Sequence, residues 1–256
     1  MSKLPKAHQF IDLSDYGRSL GTLLANTLKN TRFTPIHVTL LFVVAGLIAI
    51  YCILNNYYYY AAFFLILKSI IDAADGELAR LKNTPSYTGR YLDSVSDILL
   101  NLLFLGSIAY VTTTPFWLFT LAFIGIQLQG TLYNYYYVIL RNKCIGGDTT
   151  SRVFEVKTPT ALPGEKQKHV NIIFAVYKFL YGSFDKVIYA LDAKAHKSNP
   201  FPSWFMMALS MFGLGFQLLL IALFLVLGLD YIILPFFVVF TSLILVFIAI
   251  RKTILN

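Results

Sequence analysis

The chain has 256 residues, 57% hydrophobic and only 13% charged, with mean hydropathy +0.65 and a formal net charge of +8. A soluble domain of this length carries roughly twice that charged fraction, so the apolar surplus excludes a single water-soluble core and implies a membrane protein. The two cysteines, Cys52 in an apolar run and Cys144 in a basic stretch, suggest neither a disulfide framework nor a metal knuckle.

The opening stretch, MSKLPKAHQFIDLSDYGRSL, has no continuous apolar segment. It does not read as a cleavable signal peptide and is expected to stay attached and cytosolic. Residues 8–30 set Phe10, Leu13, Leu20, Leu23, Leu24 and Leu28 among polar residues, the pattern of an amphipathic juxtamembrane helix. Residues 1–33 are therefore expected as an N-terminal segment, and 34–256 as one transmembrane domain.

Runs long enough to cross about 30 Å of hydrocarbon fall at 34–54, 57–80, 88–112, 115–140, 203–228 and 231–250. The expected fold is an all-α integral membrane protein with six transmembrane helices. Tyrosines in NNYYYY after the first span, and in LYNYYYV within the fourth, read as headgroup-level aromatic belts. None of the 21 Lys and Arg lies in the 1–2, 3–4 or 5–6 connections, where Asp230 is the one charge. By the positive-inside rule both termini and the 2–3 and 4–5 connections are cytoplasmic. The basic excess then reads as topology plus attraction to anionic headgroups, with no nucleic acid as partner. Between spans four and five, residues 142–170 are Gly-, Thr- and Pro-rich and read as a loop, followed by a mixed helix to about 195; 142–200 is one cytoplasmic connection. Gly213 and Gly215 in the fifth span mark close helix packing, within the chain or across a dimer.

Spans two and three carry the acidic residues Asp72, Asp75, Glu77, Asp93 and Asp97 within 26 positions. A carboxylate at the centre of a bilayer costs roughly 3 kcal/mol on insertion scales, so the group needs a compensating partner. Asp72, Asp75, Gly76, Ala79 and Arg80 share one helical face, and Gly89, Asp93 and Asp97 share another. A short turn, with Thr84 as N-cap and Pro85 opening the next helix, makes the two helices antiparallel neighbours whose stripes face each other. Convergent carboxylates without His or Cys suit Mg²⁺ or Mn²⁺ rather than zinc, and such ions completed by phosphate oxygens serve phosphoryl transfer. Glu77 lies off the stripe and reads as an interfacial or solvated charge. Arg141, Lys143 and Arg152 either grip an anionic group on a substrate or are ordinary positive-inside charge. The histidines (His8, His37, His169 and His196) read as polar surface. A rival class is a cation transporter using the same carboxylates, but the outward halves of the spans offer only scattered polar residues such as Ser107, Gln127 and Gln129.

The string Asp72-x2-Asp75-Gly76-x2-Ala79-Arg80-x8-Gly89-x3-Asp93-x3-Asp97 resembles, at all eight fixed positions, the signature of the CDP-alcohol phosphotransferase (phosphatidyltransferase) family. A chance match to eight fixed residues is expected at roughly one in a hundred million for a chain of this length, so the signature is specific. The resemblance implies a CDP-linked lipid donor, usually CDP-diacylglycerol, a small alcohol acceptor, and CMP as leaving group; a soluble CDP-alcohol donor with diacylglycerol as acceptor stays open. It further implies that Asp72, Asp75 and Asp93 hold divalent metal, Mg²⁺ or Mn²⁺, as two ions. Asp97 would be the catalytic general base and a further metal ligand. Asp75, Gly76, Ala79, Arg80 and Gly89 would line the CDP site, with Arg141 and Arg152 as acceptor-binding candidates. The catalytic domain would face the cytoplasm, and a homodimer is implied. One departure is visible: many relatives begin the first span with Pro-Asn-x-x-Thr, whereas TPIHVT has Ile36 in place of the Asn and keeps Thr39. His37 is the neighbouring residue that can take over the cap or contact.

Overall fold

A computed structural model of the chain describes residues 4–5, 8–145 and 155–255, and among these all regular structure is helical. The α-helices are α1 (Arg18–Leu28), α2 (Pro35–Leu54), α3 (Tyr58–Leu81), α4 (Tyr87–Val111), α5 (Phe116–Ile145), α6 (Gln167–Leu191), α7 (Ser203–Leu209), α8 (Leu214–Val226), α9 (Asp230–Thr241) and α10 (Leu243–Ile254). Four segments are long and apolar enough to cross a membrane: α2, α4, Phe116–Cys144 of α5, and α9 with α10 as Asp230–Ile254. The bent pair α7–α8 brings the count to five if its two halves form one span. This is a multi-pass membrane protein. Helix α3 coincides with the remaining expected span but is not among these segments: at 1.5 Å per residue it is about 36 Å long, yet it carries Lys68, Asp72, Asp75, Glu77 and Arg80.

The expected continuous fifth span over 203–228 is instead broken, the axis turning by 54° at Gly213. The N-terminal segment packs into the break. The Leu13 N–H donates to Ser210 Oγ at 2.9 Å, and a side chain at Gly213 or Gly215 would collide with Ser14. Those glycines thus serve close packing within the chain. The same segment continues into α1, where the capping Gly17 and Gly21 within the helix lie on Ile70, Ala73 and Ala74 of α3, with Ala25 fully buried beside them. Leu20 and Leu23 stay exposed on the opposite face.

Of the tyrosines after α2, Tyr57, Tyr59 and Tyr60 are exposed, Tyr59 at 74%, while Tyr58 is half-buried and donates to Asp230 Oδ2 at 2.8 Å. Those of LYNYYYV do not form a belt. Tyr133 donates to Asp12 Oδ2 at 2.5 Å, and buried Tyr136 donates to Asp192 Oδ2 at 2.5 Å. Asp192 is also ion-paired with buried Arg251 of α10. A buried hydroxyl needs a partner, and acidic residues from distant segments supply it. The polar residues of the spans are spent on helix packing as well: Gln129 of α5 donates to Thr241 Oγ1 of α9 at 2.8 Å and accepts from Gln217 Nε2 of α8 at 3.0 Å. The apolar centre joins Phe42, Leu65, Phe104, Ile126, Leu218 and Phe237 from α2, α3, α4, α5, α8 and α9.

Candidate active site

The site begins at the turn between α3 and α4. Helix α3 closes in a Schellman motif: Thr84 N–H reaches Ala79 O at 3.0 Å, Asn83 N–H reaches Arg80 O at 3.2 Å, and Asn83 takes φ 54°. Helix α4 starts two residues later than expected. Its cap is Ser86, whose Oγ accepts the Gly89 N–H at 2.8 Å, rather than Thr84 followed by Pro85. A second, remote cap comes from Glu165, which accepts from Ser86 Oγ at 2.8 Å, Tyr87 N at 3.1 Å and Thr88 N at 2.7 Å. Burial pulls the Glu165 pKa up, but the hydrogen bonds from Thr88, Ser86 and Tyr87 outweigh it and hold it below the usual range. Next to it, Glu155 pairs with Arg90 and accepts from the Tyr91 hydroxyl at 2.5 Å. Residues 155–165 are thereby fastened across the start of α4.

The antiparallel α3 and α4 bring three of the four motif aspartates together. One carboxylate oxygen from each of Asp72, Asp75 and Asp93 lies within 4.8 Å of the others. Asp75 Oδ2 accepts from Thr39 Oγ1 of α2 at 2.8 Å, while buried Asp93 Oδ1 has no hydrogen-bond partner among the described residues. An all-oxygen trio with an unsatisfied buried oxygen fits a hard divalent ion. The fourth aspartate, Asp97, is not in this trio. Its Oδ1 accepts from Lys68 Nζ at 2.5 Å, and the same ammonium donates to Asp72 Oδ2 at 2.8 Å. Lys68 is 1% exposed and lies over the Phe42 ring, 4.4 Å from its centroid.

A cavity of about 1240 Å³ opens beside the trio. All five residues expected around the nucleotide line it (Asp75, Gly76, Ala79, Arg80 and Gly89), as does Asp93. Arg80 is anchored by Glu77 at 2.6 Å. Glu77 is therefore no solvated charge: its side chain is 8% exposed and holds the arginine at the cavity wall. Arg141 also lines the cavity, its guanidinium 5.9 Å from the Tyr137 ring centroid. Arg152 lies outside the described residues. At the first span, Thr34 and His37 form a reciprocal cap, the Thr34 N–H meeting His37 Nδ1 at 3.0 Å. The histidine thus fills the capping role at a site where Ile36 cannot.

The residues that sequence reasoning missed are Lys68, Glu155 and Glu165. Lys68 had one local signal, its i,i+4 relation to Asp72 in an otherwise apolar run. The two glutamates reach the site from 64 or more positions away and had none.

A family model described as CDP-alcohol phosphatidyltransferase matches residues 32–193, well over half of the chain. No curated protein matches it.

Proposed function

The chain belongs to the CDP-alcohol phosphatidyltransferase family, and from that premise we propose that it moves a phosphatidyl group from CDP-diacylglycerol to the hydroxyl of a small alcohol, releasing CMP. The observation carrying this reading is that Asp72, Asp75 and Asp93 converge beside a cavity walled by Gly76, Ala79, Arg80 and Gly89. The small residues leave flat walls for a nucleotide, and Arg80, held by Glu77, faces its diphosphate. Asp72, Asp75 and Asp93 hold Mg²⁺ or Mn²⁺. Such an ion, when bound, neutralises the donor diphosphate and the charge developing on it.

Asp97 is the general base. With Oδ1 held by Lys68, it takes the acceptor's hydroxyl proton on Oδ2. The acceptor oxygen attacks the β-phosphorus, the bond from that phosphorus to the bridging oxygen breaks, and CMP leaves with the bond's electron pair. Arg141 is the acceptor-side cation on the cavity wall. Both chain ends and the site face the cytoplasm, as the distribution of Lys and Arg supports. The ion-path alternative is disfavoured by the intramembrane polar groups, since Gln129 is spent on Thr241 and Gln217, and Ser107 on the Leu103 carbonyl.

The test is CMP release by the purified full-length chain from CDP-diacylglycerol with a panel of alcohols, run in parallel with soluble CDP-alcohols and diacylglycerol. Turnover is expected with Mg²⁺ or Mn²⁺ and none after chelation. Asp97→Asn should lose roughly 10²–10⁴-fold of it while keeping Mn²⁺ binding. No CMP from any pairing sinks the transferase reading, CMP from the parallel arm alone reverses the donor, and full activity of Asp97→Asn removes the base.

A further inference from the structure

The buried ammonium of Lys68 raises a question of charge at the site. Its nitrogen is 2.8 Å from Asp72 Oδ2 and 2.5 Å from Asp97 Oδ1, and its side chain is 1% exposed. We propose that Lys68 stands where a second divalent ion would sit, so that the site holds one ion, on Asp72, Asp75 and Asp93, and not two.

A Mg²⁺ shared by Asp72 and Asp97 would need their oxygens at roughly 2.0–2.1 Å, in the gap that the ammonium already fills. A divalent ion and an ammonium pressed into one gap repel strongly in a water-poor interior. The lysine has no easy exit either. Its ammonium lies over the Phe42 ring, and moving it away would leave a buried cation unpaired. The trio of oxygens within 4.8 Å also excludes Asp97, as expected if the fourth aspartate belongs to the lysine and the first three to metal. Lys68 is then a positioning residue: it holds Asp97 at the site and provides a fixed positive charge that no chelator can remove.

The inference rests on the metal reading proposed above, and the experiment separates the two. The full-length chain, purified in detergent, is titrated with Mn²⁺ alone, and the bound ions are counted by EPR. The unaltered chain is expected to bind one Mn²⁺ per chain, with the spectrum of an isolated ion. Lys68→Met should bind twice as many, the pair showing spin–spin coupling; Lys68→Gln serves the same purpose if the methionine variant does not fold. Two coupled Mn²⁺ in the unaltered chain overturn the proposal, whatever the variants do. So does a folded Lys68 variant that still takes up only one. Absence of any bound Mn²⁺ in the unaltered chain sinks the metal reading itself, and this inference with it.

Discussion

On α6, Asp185 faces the cavity in the field of Glu155 and Arg90. Burial, with the negative charge of Glu155, outweighs the pull of Arg90 and pushes its pKa up to about 6. Its unfolded value is near 3.9, so the folded state binds this proton more tightly. The resulting stability is fully present below about pH 4 and is lost as the pH rises through about 6, a loss on the order of 2–3 kcal/mol. Asp185→Asn, which never ionises, should raise Tm at pH 8 and change it little at pH 4. Equal shifts at the two pH values would show that Asp185 does not titrate as described. The same balance of charge explains what could be read residue by residue from the sequence. The aspartates, glycines and Arg80 stood out because each is distinctive at a fixed spacing. Lys68 and Glu77 did not, because a basic residue in a span fits positive-inside counting, and an acid off the stripe fits solvation, as well as either fits an ion pair. Only burial separates those cases, and burial is set by neighbours far along the chain.

Among the elements, the helices were the most legible part, since hydrophobic length alone marks a span. The expected 34–54 and 57–80 differ by a residue from α2 and α3. Helix ends and breaks were less so, because distant segments contribute to them. Ser14 sits in the break at Gly213 from about 200 positions away, and Glu165 adds a remote cap where α4 begins. That remote cap has a measurable consequence. Glu165 accepts from the Ser86 hydroxyl and from the first amides of α4, where a negative charge also meets the positive end of the helix dipole. Glu165→Ala should lower stability by about 1–2 kcal/mol, the usual loss when a helix cap is removed. Gly89 and Asp93 ride on the turns so held, so Mn²⁺ affinity should fall as well. Thermal unfolding and Mn²⁺ titration check the two parts, and an unchanged Tm would mean that Ser86 alone suffices as the cap.

For the molecule as a whole, the topology turns on α3. Its first ten residues, 58–67, are uncharged and the charged ones gather in the rest. That charged half is surrounded by protein: α1 covers it through Gly17 and Gly21, Thr39 of α2 binds Asp75, and Lys68 is shielded by Phe42. Polar groups covered in this way need not face lipid, so a 24-residue helix of about 36 Å can cross despite its composition. Parity makes the claim testable. With α3 crossing, there are six passes and both chain ends share one face; without it there are five, and they lie on opposite faces. In a chain with Cys52 and Cys144 replaced by serine, single cysteines at Asn55, Thr113 and Leu227 should react with an impermeant maleimide in intact cells. Cysteines at Lys29 and Thr253 should react only after permeabilisation. Reaction of Lys29→Cys and Thr253→Cys from opposite sides would remove α3 from the membrane. The carboxylates would then meet beside water instead of lipid, with α1, Thr39 and Phe42 as their only cover.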